Sequence, residues 1–301
     1  MNSTYKPNSK KIVDIKDEGK MVDKLSINKV IEKRMQGGPK GTHIKIINKA
    51  TGEVIDEGHN MVMLPGSQQA ACKLFGLDQV VPVPTYNSML GLDHTLGSDW
   101  SYQPYNDPIV CLWAAGRNGY NNSANEVNAL SNLDYITPDT ILPFRYVPKS
   151  EDLPQELRSV YFGRKTMPDS DYIAYYFKAP DTKPLLHIRY LDGTEVTSNL
   201  YSVDSSQIAE IWVESRLSVT RNDFRDYFDL VLGWDNADFS TISLLIGWYD
   251  NSIPEDPDAS AADAVYYKWY QDVIPYSKWN FKAIDLTDLT EGVSFIYEVY
   301  F

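Results

Sequence analysis

The chain is poor in the residues that most enzymes use for chemistry. It has four histidines, His43, His59, His94 and His187, and no two of them lie three or four positions apart. H-E-x-x-H and other paired-histidine motifs are therefore missing, and no zinc site or facial metal triad is expected. There are two cysteines, Cys72 and Cys111, both in apolar surroundings. That is far below the density of a secreted disulfide scaffold, so two packed free thiols are expected. No apolar run approaches the ~20 residues that a membrane-spanning helix needs. The opening "MNSTYKPNSKKIVDIKDEGK" has no apolar core like that of a signal peptide. The reading is of a soluble chain with no secretion address and no membrane partner.

Positive charge is also scarce, and it is unevenly placed. Residues 1–40 hold ten Lys and Arg against five Asp and Glu, about +5. The rest holds eighteen basic and thirty-six acidic residues, about −18. An acidic body repels phosphates, which argues against a dedicated nucleic-acid-binding domain. The basic start suits either a solvated tail or a segment that reaches an acidic neighbour.

Recognisable catalytic signatures are missing as well. "GGPKGTH" lacks the G-x-x-x-x-G-K-[ST] spacing of a phosphate loop, and no G-x-S-x-G nucleophile elbow occurs. Cys72 lies on the apolar side of an expected helix, where desolvation keeps a thiol protonated. His59 and His187 read as hydrogen-bonded structural histidines. The loop "YDNSIPEDPDASAAD" gathers Asp250, Glu255, Asp256, Asp258 and Asp263, but without EF-hand spacing, so a solvated acidic cluster is expected. Glycosidase chemistry needs two carboxylates facing each other across a sugar-sized gap, and sequence alone picks out no such pair. No catalytic, cofactor-binding or metal-binding residue is assigned, no cofactor is expected, and the chain is read as not an enzyme.

What is present is the pattern of a β protein. "THIKIINK" and "EVIDEGHNMVML" flank "ATG", a hairpin turn in which Gly52 can take positive φ without steric cost. "PGSQQAACKLFG" then reads as a short helix capped by Ser67 and stopped by Gly76. In "EGHN", His59 and Asn60 are expected to satisfy backbone groups at a bend. After about residue 155, "DYIAYYFKA", "PLLHIRYLDGTEVTSNLYSV", "AEIWVESRLSV", "YFDLVLGWD" and "STISLLIGWYD" carry strand signals, and in the second the Asp-Gly of "LDGT" marks a hairpin turn between two alternating runs. In "EIWVESRLSV", Ile211, Val213, Ser215 and Leu217 share one face; Trp212, Glu214, Arg216 and Ser218 share the other. "GVSFIYEVYF" alternates likewise, with Val293, Phe295, Tyr297, Val299 and Phe301 together. No βαβ rhythm appears. The expected fold is mainly β: an antiparallel, jelly-roll-like β-sandwich with one short helix. Residues 1–40 read as an extended arm with one possible short helix in "VDKLSINKVIEKRM". Residues 41–301 read as the body, with a loop-rich excursion at 77–150 around the strand-like "PIVCLWAAG".

Two segments carry a resemblance. The first is "INKATGEVIDEGHNMVMLPGSQQAACKLFG": strand, glycine turn, strand, His-Asn, apolar run, short helix. The second is "STISLLIGWYDN" followed by "AVYYKWYQDVIPYSKWNFKAIDLTDLTEGVSFIYEVYF": apolar strand, loop, Tyr-rich strand with the lone Lys278, spacer, terminal alternating strand. Together they resemble structural proteins of tailed bacteriophage virions, such as tail, neck, collar and baseplate components. In those proteins the first hairpin and helix pack with the final strands in one sandwich module. The resemblance implies a virion subunit, assembled in the host cytoplasm into a ring or oligomer, whose partners are copies of itself and other virion proteins. It carries over no enzymatic residue. The competing reading is a carbohydrate- or receptor-binding sandwich of a phage fibre or cell-surface protein, in which exposed Tyr and Trp meet sugar.

Overall fold

The computed structural model describes residues 41–59, 61–62, 85–93, 109–117, 119–129, 141–197, 208–250, 269–288 and 291–300. The chain divides into two units, Met1–Gly37 and Gly38–Phe301, and every described residue belongs to the second. The expected helices in 22–35 and 67–75 lie outside the described residues, as do Cys72, His94 and the acidic cluster from Glu255 to Asp263.

Two antiparallel sheets make the body. The first contains β1 (Gly41–Asn48), β2 (Val54–Gly58), β11 (Leu185–Tyr190), β12 (Glu195–Thr197), β13 (Ile208–Val219) and β16 (Val293–Tyr300). Its order is β12-β11-β13-β16-β1-β2. The second is built on β3 (Met61–Val62), β4 (Ile109–Gly116), β8 (Arg145–Pro148), β10 (Tyr172–Lys178), β14 (Asp238–Asp250) and β15 (Trp269–Asp285). Its order is β3-β15-β14-β4-β10-β8, with β7 (Ile141–Leu142) added on β4 and β9 (Tyr161–Thr166) on β10. A two-stranded ribbon, β5 (Tyr120–Asn121) with β6 (Glu126–Val127), forms a separate small sheet against β15. Neither sheet closes on itself. The architecture is mainly β and sandwich-like, as the alternating strands imply.

The alternation in the sequence sets which face is buried. Val293, Phe295, Tyr297 and Val299 of β16 all turn inward, and so do Ile44 and Ile46 of β1 and Leu217 and Val219 of β13. They meet the second sheet directly: Trp113 packs edge-on to Tyr297 at 6.0 Å, and Phe239 on Phe295 at 5.9 Å. Removing a ring such as Phe295, which is fully buried, would cost about 3–5 kcal/mol. The second sheet is apolar on both sides. Cys111, Leu112, Ala114, Leu245 and Val273 form a separate cluster on its far face. This is why "IVCLWAAG" and "STISLLIGW" read as runs rather than alternations.

α1 (Tyr86–Leu90) caps that far face. Thr85 and Ser88 form a reciprocal capping box that holds its first turn. The Asn87 side chain also repairs the sheet. The β14–β15 register slips between Ile246 and Trp248, leaving an extra residue on β15. There Asn87 accepts from the Val273 N–H at 2.7 Å and donates to the Tyr270 carbonyl at 3.2 Å.

Two expectations need correction. "YFDLVLGWD" is not a strand. α3 (Arg221–Tyr227) runs into a π-helical turn, Phe228–Leu232, and a short 3-10 turn follows. Asp223 decides it: its carboxylate accepts from the Thr220 N–H at 2.7 Å and the Thr220 hydroxyl at 2.9 Å, starting a helix before the β-prone residues arrive. Phe224 and Phe228, four apart, then bury on one side. Within the loop-rich stretch 77–150, the strand-like "PIVCLWAAG" is β4, which lies in the middle of the second sheet, between β14 and β10, and the described residues also include α1. The body also holds more than one short helix, with α1, α2 (Gln155–Arg158) and α3 among the described residues.

Candidate functional site

The first sheet turns its second face away from the core, and that face carries a set of ionisable groups on adjacent strands. Register fixes the rows. His187, Trp212 and Tyr300 stand side by side on β11, β13 and β16; in the next row come Glu214, Glu298 and His43. Arg216, Ile296 and Lys45 form the third, beside Glu57 of β2.

The aromatic row is closed on itself. Trp212 stacks between His187 (5.0 Å, 14°) and Tyr300 (5.6 Å, 23°), and the Arg189 guanidinium lies 5.1 Å from its centre. With both neighbours stacked on it and a cation above, Trp212 is only 3% exposed. A sugar needs a free ring face, so Trp212 offers no stacking platform.

The carboxylates are equally engaged. Glu298 accepts from His43 Nδ1 at 3.3 Å and from the Tyr300 hydroxyl at 3.0 Å. His43 Nε2 lies 3.8 Å from Glu57 on the other side. Buried Glu214 accepts from Arg216 Nε and lies 3.9 Å from His187 Nε2. Arg189 bridges Glu195 and Glu210 at 2.6 Å each. Burial, with Glu298 as hydrogen-bond partner, pushes the Tyr300 phenol up to about 12 from an ordinary 10.0. This is a cross-linked polar surface in which each of these glutamates already lies against an arginine or a histidine. Rim charges of this kind can meet a complementary protein face. Among the described residues no group of three or more His, Cys, Asp or Glu could hold a metal.

Among the described residues, two pairs of consecutive large apolar side chains are exposed. On the π-helical turn Leu230 and Val231 are 53% and 50% exposed, and Arg221 lies 4.1 Å over the nearby Trp234 ring. At the edge strand β2, Val54 and Ile55 are exposed beside Glu53, Asp56 and Glu57.

The residues singled out in sequence fall into place as follows. His59 Nδ1 donates to the Thr42 carbonyl at 2.9 Å, the backbone role expected of it. His187 sits on a strand, as read, but in the aromatic row rather than alone. Cys111 is a buried free thiol, and burial pushes it up to about 12 from 9.0. Asp250 ends β14, and Lys278 lies mid-strand opposite Ser243 and Met61. The cluster that sequence reasoning missed is His43–Glu298–Glu214–His187. Its members are spread over 255 positions, and only strand pairing brings them together.

Comparison of the chain with protein-family models, with curated proteins and with solved structures gave no match.

Proposed function

We propose that the chain is a structural subunit of a tailed bacteriophage virion, a tail, neck or collar component that works through interfaces with its own copies and other virion proteins. One observation carries the reading. The two segments that resemble such proteins, one early and one terminal, join in a single sandwich: β1, whose last residues open the first segment, pairs with β16, and β3 pairs with β15. That is the arrangement the resemblance implies for the first hairpin and the final strands. Exposed apolar residues on the π-helical turn and at the β2 edge add the kind of surface that subunit contacts bury. The carbohydrate-binding reading loses support at Trp212, whose ring is covered.

Electron microscopy and mass photometry of the purified full chain test the proposal. A ring subunit forms closed or stacked oligomers at micromolar concentration. A chain that stays monomeric and binds glycans on an array would favour the competing reading.

A further inference from the structure

The edge strand β2 combines features that narrow what it can accept. Among the described residues it is the last strand of the first sheet, with no neighbour beyond it. Compare β9, whose edge is covered by the turn after α1: Asp93 N–H donates to the Arg164 carbonyl, and Thr166 N–H donates to Asp93. On β2, Val54 and Ile55 are 46% and 45% exposed, and Ile55 is the bulged residue with no partner on β1. Natural sheets guard such edges with a bulge and charges that deter pairing between like chains. Here every guard is acidic: Glu53, Asp56 and Glu57, with the Asp56 carboxylate taking the Glu57 N–H at 2.9 Å.

Guards of one sign repel one kind of strand and attract another. Residues 41–301 carry about −18, so the edge repels a strand from another body. The first forty residues carry about +5, and within them "KKIVDIK" (10–16) places three lysines and one aspartate around Ile12, Val13 and Ile15. Its β-branched residues suit an edge strand, and its lysines suit Glu53, Asp56 and Glu57. The chain between residues 16 and 41 can span at most roughly 80–90 Å.

We infer that β2 is an acceptor edge for residues 10–16 of a second copy, which add to the sheet as a further strand. Backbone pairing supplies the contact, Val54 and Ile55 supply the apolar part, and the three acids choose a basic strand over an acidic one. Asp56 releases the Glu57 N–H to the incoming carbonyl and pairs with a lysine instead. The inference rests on the subunit reading above and names which segment joins copies.

The test is zero-length carbodiimide cross-linking of the full chain, mixed from equal amounts of unlabelled and 15N-labelled protein. The expected product links Lys10 or Lys11 of one copy to Glu53, Asp56 or Glu57 of another, seen as mixed-isotope peptides. The double reversal Asp56→Lys/Glu57→Lys should cut its yield about tenfold. Combining that variant with a Lys10→Glu/Lys11→Glu copy should restore the contact, read as binding between the two variants when each alone fails to associate through this edge. The reversed positions lie at the outer edge, so circular dichroism should match the parent. Cross-links found only within one copy, cross-links at other acidic faces, or a yield indifferent to reversal would each overturn the inference. Oligomers that persist without this link defeat the edge assignment alone, whereas a chain that never self-associates or enters a particle defeats the subunit reading itself.

Discussion

Asp223 is a residue whose loss should be felt sharply. It is 3% exposed, and its two oxygens receive four hydrogen bonds. Lys178 Nζ (2.7 Å) and the Tyr161 hydroxyl (2.8 Å) donate to one oxygen, and the Thr220 amide and hydroxyl donate to the other. It therefore starts α3 and at the same time neutralises a lysine of β10. Lys178 keeps one further acceptor, the Ser218 carbonyl at 2.8 Å. Asp223→Ala would leave that ammonium buried without its counter-charge, and breaking one side of such a pair costs about 3–5 kcal/mol. At roughly 2–4 °C per kcal/mol for a domain of this size, the melting temperature should fall by roughly 6–20 °C. Lys178→Met should cost less, because the carboxylate keeps three donors. In urea titrations followed by tryptophan fluorescence, the double variant should be at least about 2 kcal/mol more stable than the two single losses summed, since it removes both orphan charges together. A single-variant loss below about 1 kcal/mol, or a strictly additive pair, would refute the reasoning.

Other positions offer equally direct checks. Asn87→Ala removes the acceptor of the Val273 N–H and the donor to the Tyr270 carbonyl, and should cost about 2–4 kcal/mol in the same assay, whereas an exposed asparagine such as Asn122 should tolerate alanine. Gly119→Ala would put its Cβ 1.9 Å from the Ser240 carbonyl oxygen, a backbone atom that cannot swing aside, so low soluble yield or a loss above about 2 kcal/mol is expected. Burial pushes the Tyr176 and Tyr276 phenols up from 10.0 to about 12. In the folded state they hold protons that the unfolded chain gives up near pH 10, so stability should fall as pH rises from about 10 towards 12. Phenolate absorbance at 295 nm should accordingly show a group of tyrosines titrating late; uniform titration near pH 10 would contradict it. In a Cys72→Ser background, Cys111 should not react with a thiol reagent at pH 8 until denaturant is added.

Much of the fold is written in local pattern, and the exceptions have identifiable causes. β13 and β16 alternate cleanly because one face meets the core and the other does not, so Leu217 and Phe295 could be assigned inward from spacing alone. The first hairpin was legible from its turn, where Gly52 takes φ 73°. The hairpin of β11 and β12 was legible from Asp192 and Gly193, with Asp192 accepting from the Thr194 N–H at 2.8 Å. α3 and the π-helical turn were misread because Tyr, Phe, Leu and Val favour strands, and their aromatic content outweighed a short upstream signal. That signal was present: Thr220 followed three positions later by Asp223 is the pattern of a helix N-terminus. β4 was visible as an apolar run, yet its middle position in the sheet was not, because only pairing with Leu244 and Lys178 places it there. The His43–Glu298–Glu214–His187 cluster had no local signature, since each member looks like an ordinary polar residue on an outer strand face.

Quantitative mass spectrometry of purified virions from the genome that encodes the chain tests the central proposal most directly. The account predicts peptides of this chain at a fixed multiple-copy ratio to the major virion proteins, retained after salt washing and density-gradient purification. Peptides absent from intact particles but abundant in the lysate as free monomer would contradict it.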